Sequence, residues 1–310
     1  MTAAPVVSVV VPTRDRRDLV LATVADVFAQ RDVALEIVVV VDGARDGTRE
    51  ALAALGDPRV RIVSHEPARG QAAARDAGVA AARGEWVAFL DDDDRWAPDK
   101  LRRQLDAAAA ADAEFVYAGA LLCTPNGRVL GYLDAPEPAT VHGAIRARNV
   151  IPAGSSNVLA RTALLRRVGG FDPALSHLAD WDVWIRLAET GRPAACPEHL
   201  VAYVLHEGNL HLAQSAIAAE ARHLRAKHAH SRLPGTLDRA DLYSWAGWAQ
   251  LRQGRHLSAA RLFGLAAIRG RRPGHLPAVA SAVAQRLGRR IPEVREYPAP
   301  DWLAGTAARK

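Results

Sequence analysis

Glu85-Trp86-Val87-Ala88-Phe89-Leu90-Asp91-Asp92-Asp93-Asp94-Arg95-Trp96 decides how the rest of this chain is folded. An apolar run that ends abruptly in four carboxylates reads as a buried strand delivering acidic side chains to the edge of a sheet. Adjacent Asp residues repel one another, and a folded chain holds such a cluster at low cost only in water or around a positive charge. In water it would be an acidic turn capping a helix that starts near Pro98, with its carboxylates at the positive end of the dipole. Around a cation, alternate Asp residues leaving a strand offer oxygens together to a hard divalent ion, which prefers carboxylate, water and phosphate ligands.

Upstream, strand-like and helix-like segments alternate. Val7-Ser8-Val9-Val10-Val11-Pro12-Thr13 is a nearly continuous β-branched run closed by Pro12, suited to a central parallel strand buried on both faces. Leu19, Val20, Val24, Val27 and Phe28 recur at helical spacing and predict a helix over 17–29. A second strand, Glu36 to Val41, ends in Asp42-Gly43 and precedes a helix from Thr48 to Leu55; a third, Val60 to Ser64, leads through Arg69-Gly70 into an Ala-rich helix from Gln71 to Ala82. With the acidic strand this makes four alternations on short links, which predicts an α/β fold with an open, mostly parallel sheet flanked by helices. Ligands of such sheets bind outside the carboxyl ends of the strands. Thr13, Asp15, Asp42, Arg75 and the Asp91 to Asp94 cluster all follow a strand end or open the next helix, so they can converge on one crevice. Neither GxGxxG nor GxxxxGK[ST] occurs, which takes support from dinucleotide and P-loop readings.

Val7 to Arg16, Glu36 to Thr48, Gly70 to Gly78 and Phe89 to Trp96, in this order and spacing, resemble the four successive blocks of the family 2 glycosyltransferases with the GT-A fold. The resemblance covers about residues 6–212. It implies a Rossmann-like catalytic domain at 1–212, divided into a nucleotide-sugar-binding half (about 1–112) and an acceptor-side half (113–212). On that mapping Pro12, Thr13 and Asp15 line the nucleoside pocket, Asp42 accepts from the base and Arg75 sits near the base or pyrophosphate. Asp91-Asp92-Asp93 becomes the DXD motif of the donor site, with Asp91 toward the ribose or metal-bound water and Asp93 on a divalent metal, Mn2+ or Mg2+. As residues alone, Thr13 and Asp42 equally suit turns or caps, and Arg75 a surface ion pair. Three departures bear on the donor base: the family often has Asn where Asp15 and Asp76 stand, and two Asp where this chain has Val41-Asp42.

Downstream, a helix from Asp99 to Ala111 precedes an apolar strand, Phe115 to Cys123, and Asn126-Gly127 signals a hairpin into Arg128 to Leu133. A Pro-rich segment, Ala135 to Pro138, opens the acceptor-side half. In the block His177 to Leu187, Trp181, Trp184, Ile185 and Ala188 share a helix face and Asp180 falls in the first turn. An Asp there is an N-cap on local grounds. In the resemblance its counterpart is the catalytic base, usually preceded by Glu where this chain has Ala179; Asp182 is the runner-up on a different face. Tyr203-Val204-Leu205-His206 resembles the Tyr-x-x-His block that closes the family's catalytic domain. His206 would add a metal or phosphate contact or serve a structural role, with His211 a weaker candidate.

The resemblance thus implies a metal-dependent, inverting glycosyltransferase using a nucleoside-diphosphate sugar, UDP- or dTDP-linked, and an acceptor hydroxyl on a glycan, lipid-linked saccharide or natural product. Metal on the diphosphate stabilises the leaving group, and a carboxylate takes the acceptor's proton. The reading from a different class is a degenerate transferase domain serving as a scaffold. A nucleotidyltransferase would need a glycine-rich, basic loop after the first strand, which is missing.

The chain has 310 residues, 49% apolar and 24% charged, an ordinary globular balance. Cys123 and Cys196 are its two cysteines, too few for a disulfide framework or thiolate zinc site, and the longest apolar runs are strand-length with no leader before them. A cytoplasmic location is expected. The net charge of +6 is uneven: residues 212–310 carry 17 Lys and Arg against 6 Asp and Glu, and residues 1–210 carry 23 against 28. Residues 213–310 are expected to form a basic helical region, with helices at 212–229, 239–253, 257–269 and 277–287. Trp245, Trp248, Gly254, Ala259, Ala260, Phe263 and Ala267 resemble one tetratricopeptide-type helix pair. This region suits packing on the catalytic domain or a partner, or peripheral contact with an anionic membrane through Arg269, Arg271, Arg272, Arg286, Arg289 and Arg290. A nucleic-acid partner rests on tail charge alone and is not expected.

Overall fold

The computed structural model describes residues 5–206, 214–252, 254–269 and 297–304. Strands β1 (Val7–Thr13) and β2 (Leu35–Asp42) are buried along their whole length. They read as unbroken β-branched runs because helices cover both faces of the sheet. β1 pairs in parallel with β2 and with β4 (Trp86–Phe89), and β2 with β3 (Val60–His65). The crossovers are α1 (Arg17–Phe28), α2 (Thr48–Ala53) and α3 (Gln71–Ala81). Gly78 of α3 lies so close to β1 that a Cβ there would meet a methyl of Val10 at 2.2 Å, which sets how tightly this helix can seat.

After β4 come β5 (Arg95–Trp96), α4 (Lys100–Ala111), β6 (Phe115–Cys123), β7 (Val129–Leu133), α5 (Pro138–Ala144), a 3-10 turn at Gly154–Asn157, β8 (Leu159–Arg161), α6 (Thr162–Arg167), α7 (Ala179–Thr190) and β9 (Pro193–Val204). The sheet order is β3-β2-β1-β4-β8-β6-β9-β5, with β7 on β6. The expected parallel arrangement therefore holds for the first four strands and for β6 with β9, while β8 runs antiparallel to both β4 and β6. Asn126-Gly127 forms the turn of the β6–β7 hairpin, with Gly127 at φ +82°.

Alternate β1 residues feed two cores: Val9 and Val11 pack toward α1 and α4, while Val10 packs toward α3 and α7. Helices α8 (Gln214–Lys227), α9 (Arg239–Arg252) and α10 (His256–Arg269) follow. Ile217, Leu224, Leu242 and Leu262 join Trp181 and Trp184 in the second core, so these helices pack on the α7 side of the sheet. The helix expected at 277–287, His211 and the basic residues from Arg271 to Arg290 lie outside the described residues. Among the described residues no helix is long and apolar enough to cross a membrane.

Candidate active site

The four Asp residues that follow β4 form a turn closed by the Asp94 N–H on the Asp91 carbonyl at 3.2 Å, and it leaves Asp91 and Asp93 partly open and Asp92 and Asp94 buried. Asp92 is an internal tie. Its carboxylate accepts from Thr13 Oγ1 at 2.7 Å and Arg16 Nη1 at 2.8 Å, and its carbonyl accepts from Thr23 Oγ1. Burial pushes its carboxyl up to about 6 against the pull of Thr13 and Arg16. Asp94 accepts from Ser156 Oγ at 2.5 Å and from the Val204 N–H at 3.0 Å. Burial, with the charges of Asp93 and Asp91 beside it, raises its carboxyl well above the ordinary range.

The Asp94–Val204 bond fixes the end of β9, and two residues on, His206 Nε2 lies 2.9 Å from Asp93 Oδ2. Arg16 Nη1 reaches the same Asp93 oxygen at 2.7 Å. Burial raises the Asp93 carboxyl, but His206 and Arg16 together hold it below its ordinary value. Among the described residues no three His, Cys, Asp or Glu side chains form a complete metal-ligand group. One carboxylate and one imidazole fit a Mn2+ or Mg2+ ion that completes its shell with diphosphate oxygens and water.

Arg75 of α3 is buried over the Phe171 ring and donates from Nη2 to Asp91 Oδ1 at 2.6 Å, leaving its Nε without a protein partner. Asp180, the second residue of α7, is not the N-cap, a position held by Leu178 with no side-chain cap bond. Its Oδ1 accepts from the Trp181 N–H at 2.7 Å, and its Oδ2 lies 3.5 Å from Asn149 Nδ2. Gly154, at φ +50°, leaves room for this carboxylate, since a Cβ there would stand 2.9 Å from Asp180 Oδ2. Burial pushes Asp180 up to about 6, against the pull of Arg75 and the Trp181 N–H and with the like charge of Asp91. The helix that carries it is held from α8, where Glu220 accepts from the backbone N–H groups of His177 and Leu178 at 2.9 and 3.0 Å.

A cavity of about 980 Å³ collects these groups: Arg16, Arg75, Asp91, Asp92, Asp93 and Asp180 all border it, and His206 joins through Asp93. Pro12, Thr13, Asp15 and Asp42 do not line it. Pro12 is a buried β1 residue and Thr13 serves Asp92. Asp15, at φ +51°, accepts from the Arg45 N–H. The oxygens of Asp42, the expected base acceptor, take the Arg69 and Gly70 N–H groups at 2.8 Å, and Oδ1 lies 2.9 Å from His65 Nδ1. The runner-up Asp182 is fully buried on another face, bound by His228 Nε2 at 2.8 Å, Lys227 Nζ at 3.0 Å and Arg186. Sequence reasoning missed Arg16, Ser156 and Asn149. Arg16 stands inside a quoted block next to the Asp91 to Asp94 partners it bridges, whereas Ser156 and Asn149 lie in loops with no local signal.

An open α/β sheet whose acidic strand end faces a carboxylate at the start of a later helix across one cavity defines a GT-A-type glycosyltransferase domain. Residues 8–167, just over half the chain, match the model of Glycosyl transferase family 2, and the chain belongs to that family. It is 33% identical over 217 residues, 66% of this chain and 62% of the other, to the succinoglycan biosynthesis protein ExoO of Rhizobium meliloti, and so spans less than two thirds of that relative's length. It is 25% identical over 189 residues, 61% of this chain and 72% of the other, to the Escherichia coli UDP-Glc:alpha-D-GlcNAc-diphosphoundecaprenol beta-1,3-glucosyltransferase WfgD. The mannosyltransferase PcManGT from Pyrobaculum calidifontis, solved with GDP-Man and Mn2+, shares the fold at a TM-score of 0.57 and 23% identity, over 92% of this chain and 81% of that one.

Proposed function

We propose that this protein is a metal-dependent, inverting glycosyltransferase that moves a sugar from a nucleoside-diphosphate sugar, UDP- or dTDP-linked first of all, to an acceptor hydroxyl of a glycan, lipid-linked saccharide or natural product. The observation that carries this is a single cavity bordered both by Asp91 and Asp93 at the end of β4 and by Asp180 at the start of α7. Asp93 and His206 would hold a divalent ion, which when bound neutralises charge growing on the diphosphate leaving group. Arg75 and Arg16 add positive charge on the same wall. Asp180, ionised above about pH 6, takes the proton of the attacking hydroxyl, and Trp181 N–H and Asn149 orient its carboxylate. One in-line displacement inverts the anomeric centre and needs no sugar-enzyme intermediate. The lipid-linked acceptor in the name of the Escherichia coli relative and the basic C-terminal composition support a peripheral site of action at the inner face of a membrane.

The test is a thermal-shift and calorimetric screen of UDP-, dTDP- and GDP-sugars with and without Mn2+ or Mg2+. Stabilisation by one nucleotide only when metal is present is the expected result, and Asp93→Ala should lose it. Metal-independent binding, or an undiminished response in Asp93→Ala, moves the metal site elsewhere. No response to any donor favours a scaffold.

A further inference from the structure

The cavity that holds the acidic groups has a second wall that they do not use. Asp241, Leu242, Trp245 and Trp248 of α9 line it, facing Leu130 and Leu133. Asp241, Trp245 and Trp248 follow i, i+4, i+7 spacing, so one stripe of α9 presents a carboxylate and two indoles in a row.

Ala240, Leu242, Ala246 and Leu251 of this helix are buried, yet Trp245 and Trp248 remain 39% and 46% exposed. Core packing does not explain two open indoles on a surface where their burial would be favourable. Trp248 is also braced: its ring meets the buried Phe263 of α10 edge-on, centroids 5.1 Å apart at 70°. Gly247 lets the two helices approach this closely, since a Cβ there would stand 2.8 Å from the Phe263 ring. A fixed, open aromatic face is a stacking platform, and bracing lowers the ordering cost of using it.

The chemistry of the stripe selects its occupant. A nucleotide's phosphates are repelled by Asp241, and a polyprenyl chain gains nothing from a carboxylate at the end of an apolar stripe. A pyranose satisfies both parts, since its axial C–H face stacks on an indole while its hydroxyls donate to a carboxylate. The wall lies on α9, beyond residue 167, where the family match ends.

We propose that Asp241, Trp245 and Trp248 form a saccharide subsite that holds a sugar unit of the acceptor while the attacking hydroxyl is presented to Asp180, an assignment of direction that rests on the transfer reading above. Specificity for the acceptor is then set by the C-terminal helices and the donor by the β-strand ends.

The experiment is saturation-transfer difference NMR on the full chain with the methyl and octyl β-glycosides of glucose, galactose, N-acetylglucosamine and mannose, without nucleotide or metal. The expected result is transfer to ring protons of at least one sugar, equal for its methyl and octyl forms, with affinity falling about three- to tenfold in Trp248→Ala and Asp241→Asn. Trp248→Tyr, which keeps an aromatic face against Phe263, should retain most of the signal, and it serves if the Ala variant does not fold. Three outcomes overturn the proposal: no transfer to any glycoside, unchanged affinity in Asp241→Asn, or loss confined to the octyl forms, which would make the wall a lipid contact. The donor screen on the same variants keeps the two questions apart. Saccharide binding with no donor response in the wild type defeats the transferase and leaves the subsite, whereas a normal donor response without saccharide binding does the reverse.

Discussion

Asp180→Asn should inactivate the enzyme and stabilise the fold at the same time. The Asp180 carboxyl titrates at about 6 because burial and Asp91 outweigh the attraction of Arg75. Its folded value therefore lies above an unfolded value near 4, so stability from this group is full below pH 4 and is lost as pH rises through 6. At pH 7 the protein holds a carboxylate that is harder to ionise folded than unfolded, at a cost on the order of 1–3 kcal/mol. Asn keeps the acceptor for the Trp181 N–H, stays neutral at every pH, and sacrifices at most the 3.5 Å approach of Asn149. Urea denaturation should thus show the variant more stable than wild type by about 1–3 kcal/mol at pH 7, the gap closing toward pH 4. In activity assays, wild-type turnover should rise through about pH 6, with pH 5 giving about a tenth of the plateau. The variant should fall by about a hundredfold or more and lose this limb, while donor binding stays intact. Near-normal turnover would place the base elsewhere, and a variant no more stable than wild type at pH 7, or a gap that does not shrink toward pH 4, would refute the electrostatic account.

Asp182→Ala leaves His228, Lys227 and Arg186 facing one another without their buried carboxylate, and should lower unfolding stability by about 3 kcal/mol. A loss under 1 kcal/mol in urea titration would show that this ion cluster does not hold α8 to α7. Lys100 is fully buried, bonded to Gln104 Oε1 at 2.8 Å and 3.9 Å from the centre of the Trp96 ring, and burial holds its pKa well below the ordinary value. Its folded value lies below the unfolded one, so its penalty is present at neutral pH and fades as pH rises toward 10. Lys100→Met should therefore raise Tm at pH 7 and lose that advantage near pH 10; a lower Tm at pH 7 would mean that the cation–ring contact outweighs desolvation.

β1, β2 and β4 were legible because they are buried on both faces and carry apolar runs, and the crossover helices because they follow each strand on short links bounded by Gly, Pro and Asp. Leu35–Asp42 and Gln71–Ala81 fall within a residue or so of their expected limits. β8 was not legible: three residues, Leu159–Arg161, pair antiparallel between β4 and β6 and have no period to read. The site divided in the same way. Asp91 and Asp93 could be named in advance from the strand end they follow, and Arg75 and Asp180 from the family blocks that carry them. What Asp42 and Asp182 do depends on donors far along the chain, the Arg69 and Gly70 N–H groups and the side chains of Lys227 and His228, which no local pattern encodes. Recognising the Tyr-x-x-His block put His206 among the candidates, but its approach to Asp93 is fixed by the buried Asp94 holding Val204.

The Asp run poses one electrostatic problem and is solved by giving its members different duties. Four ionised carboxylates in a row repel one another, so two are turned inward and their carboxyls pushed up, Asp92 to about 6 and Asp94 well above the ordinary range. The remaining two border the cavity paired with arginines from separate elements, Asp91 with Arg75 of α3 and Asp93 with Arg16 of the β1–α1 turn. Those arginines are the groups that an incoming diphosphate and cation would displace or share. On the proposed reading this wall is internally compensated before a donor arrives, and binding would exchange ion-pair partners instead of burying new charge. That exchange predicts that donor affinity depends weakly on salt compared with a site built from unpaired arginines, because the net charge on the wall changes little on binding.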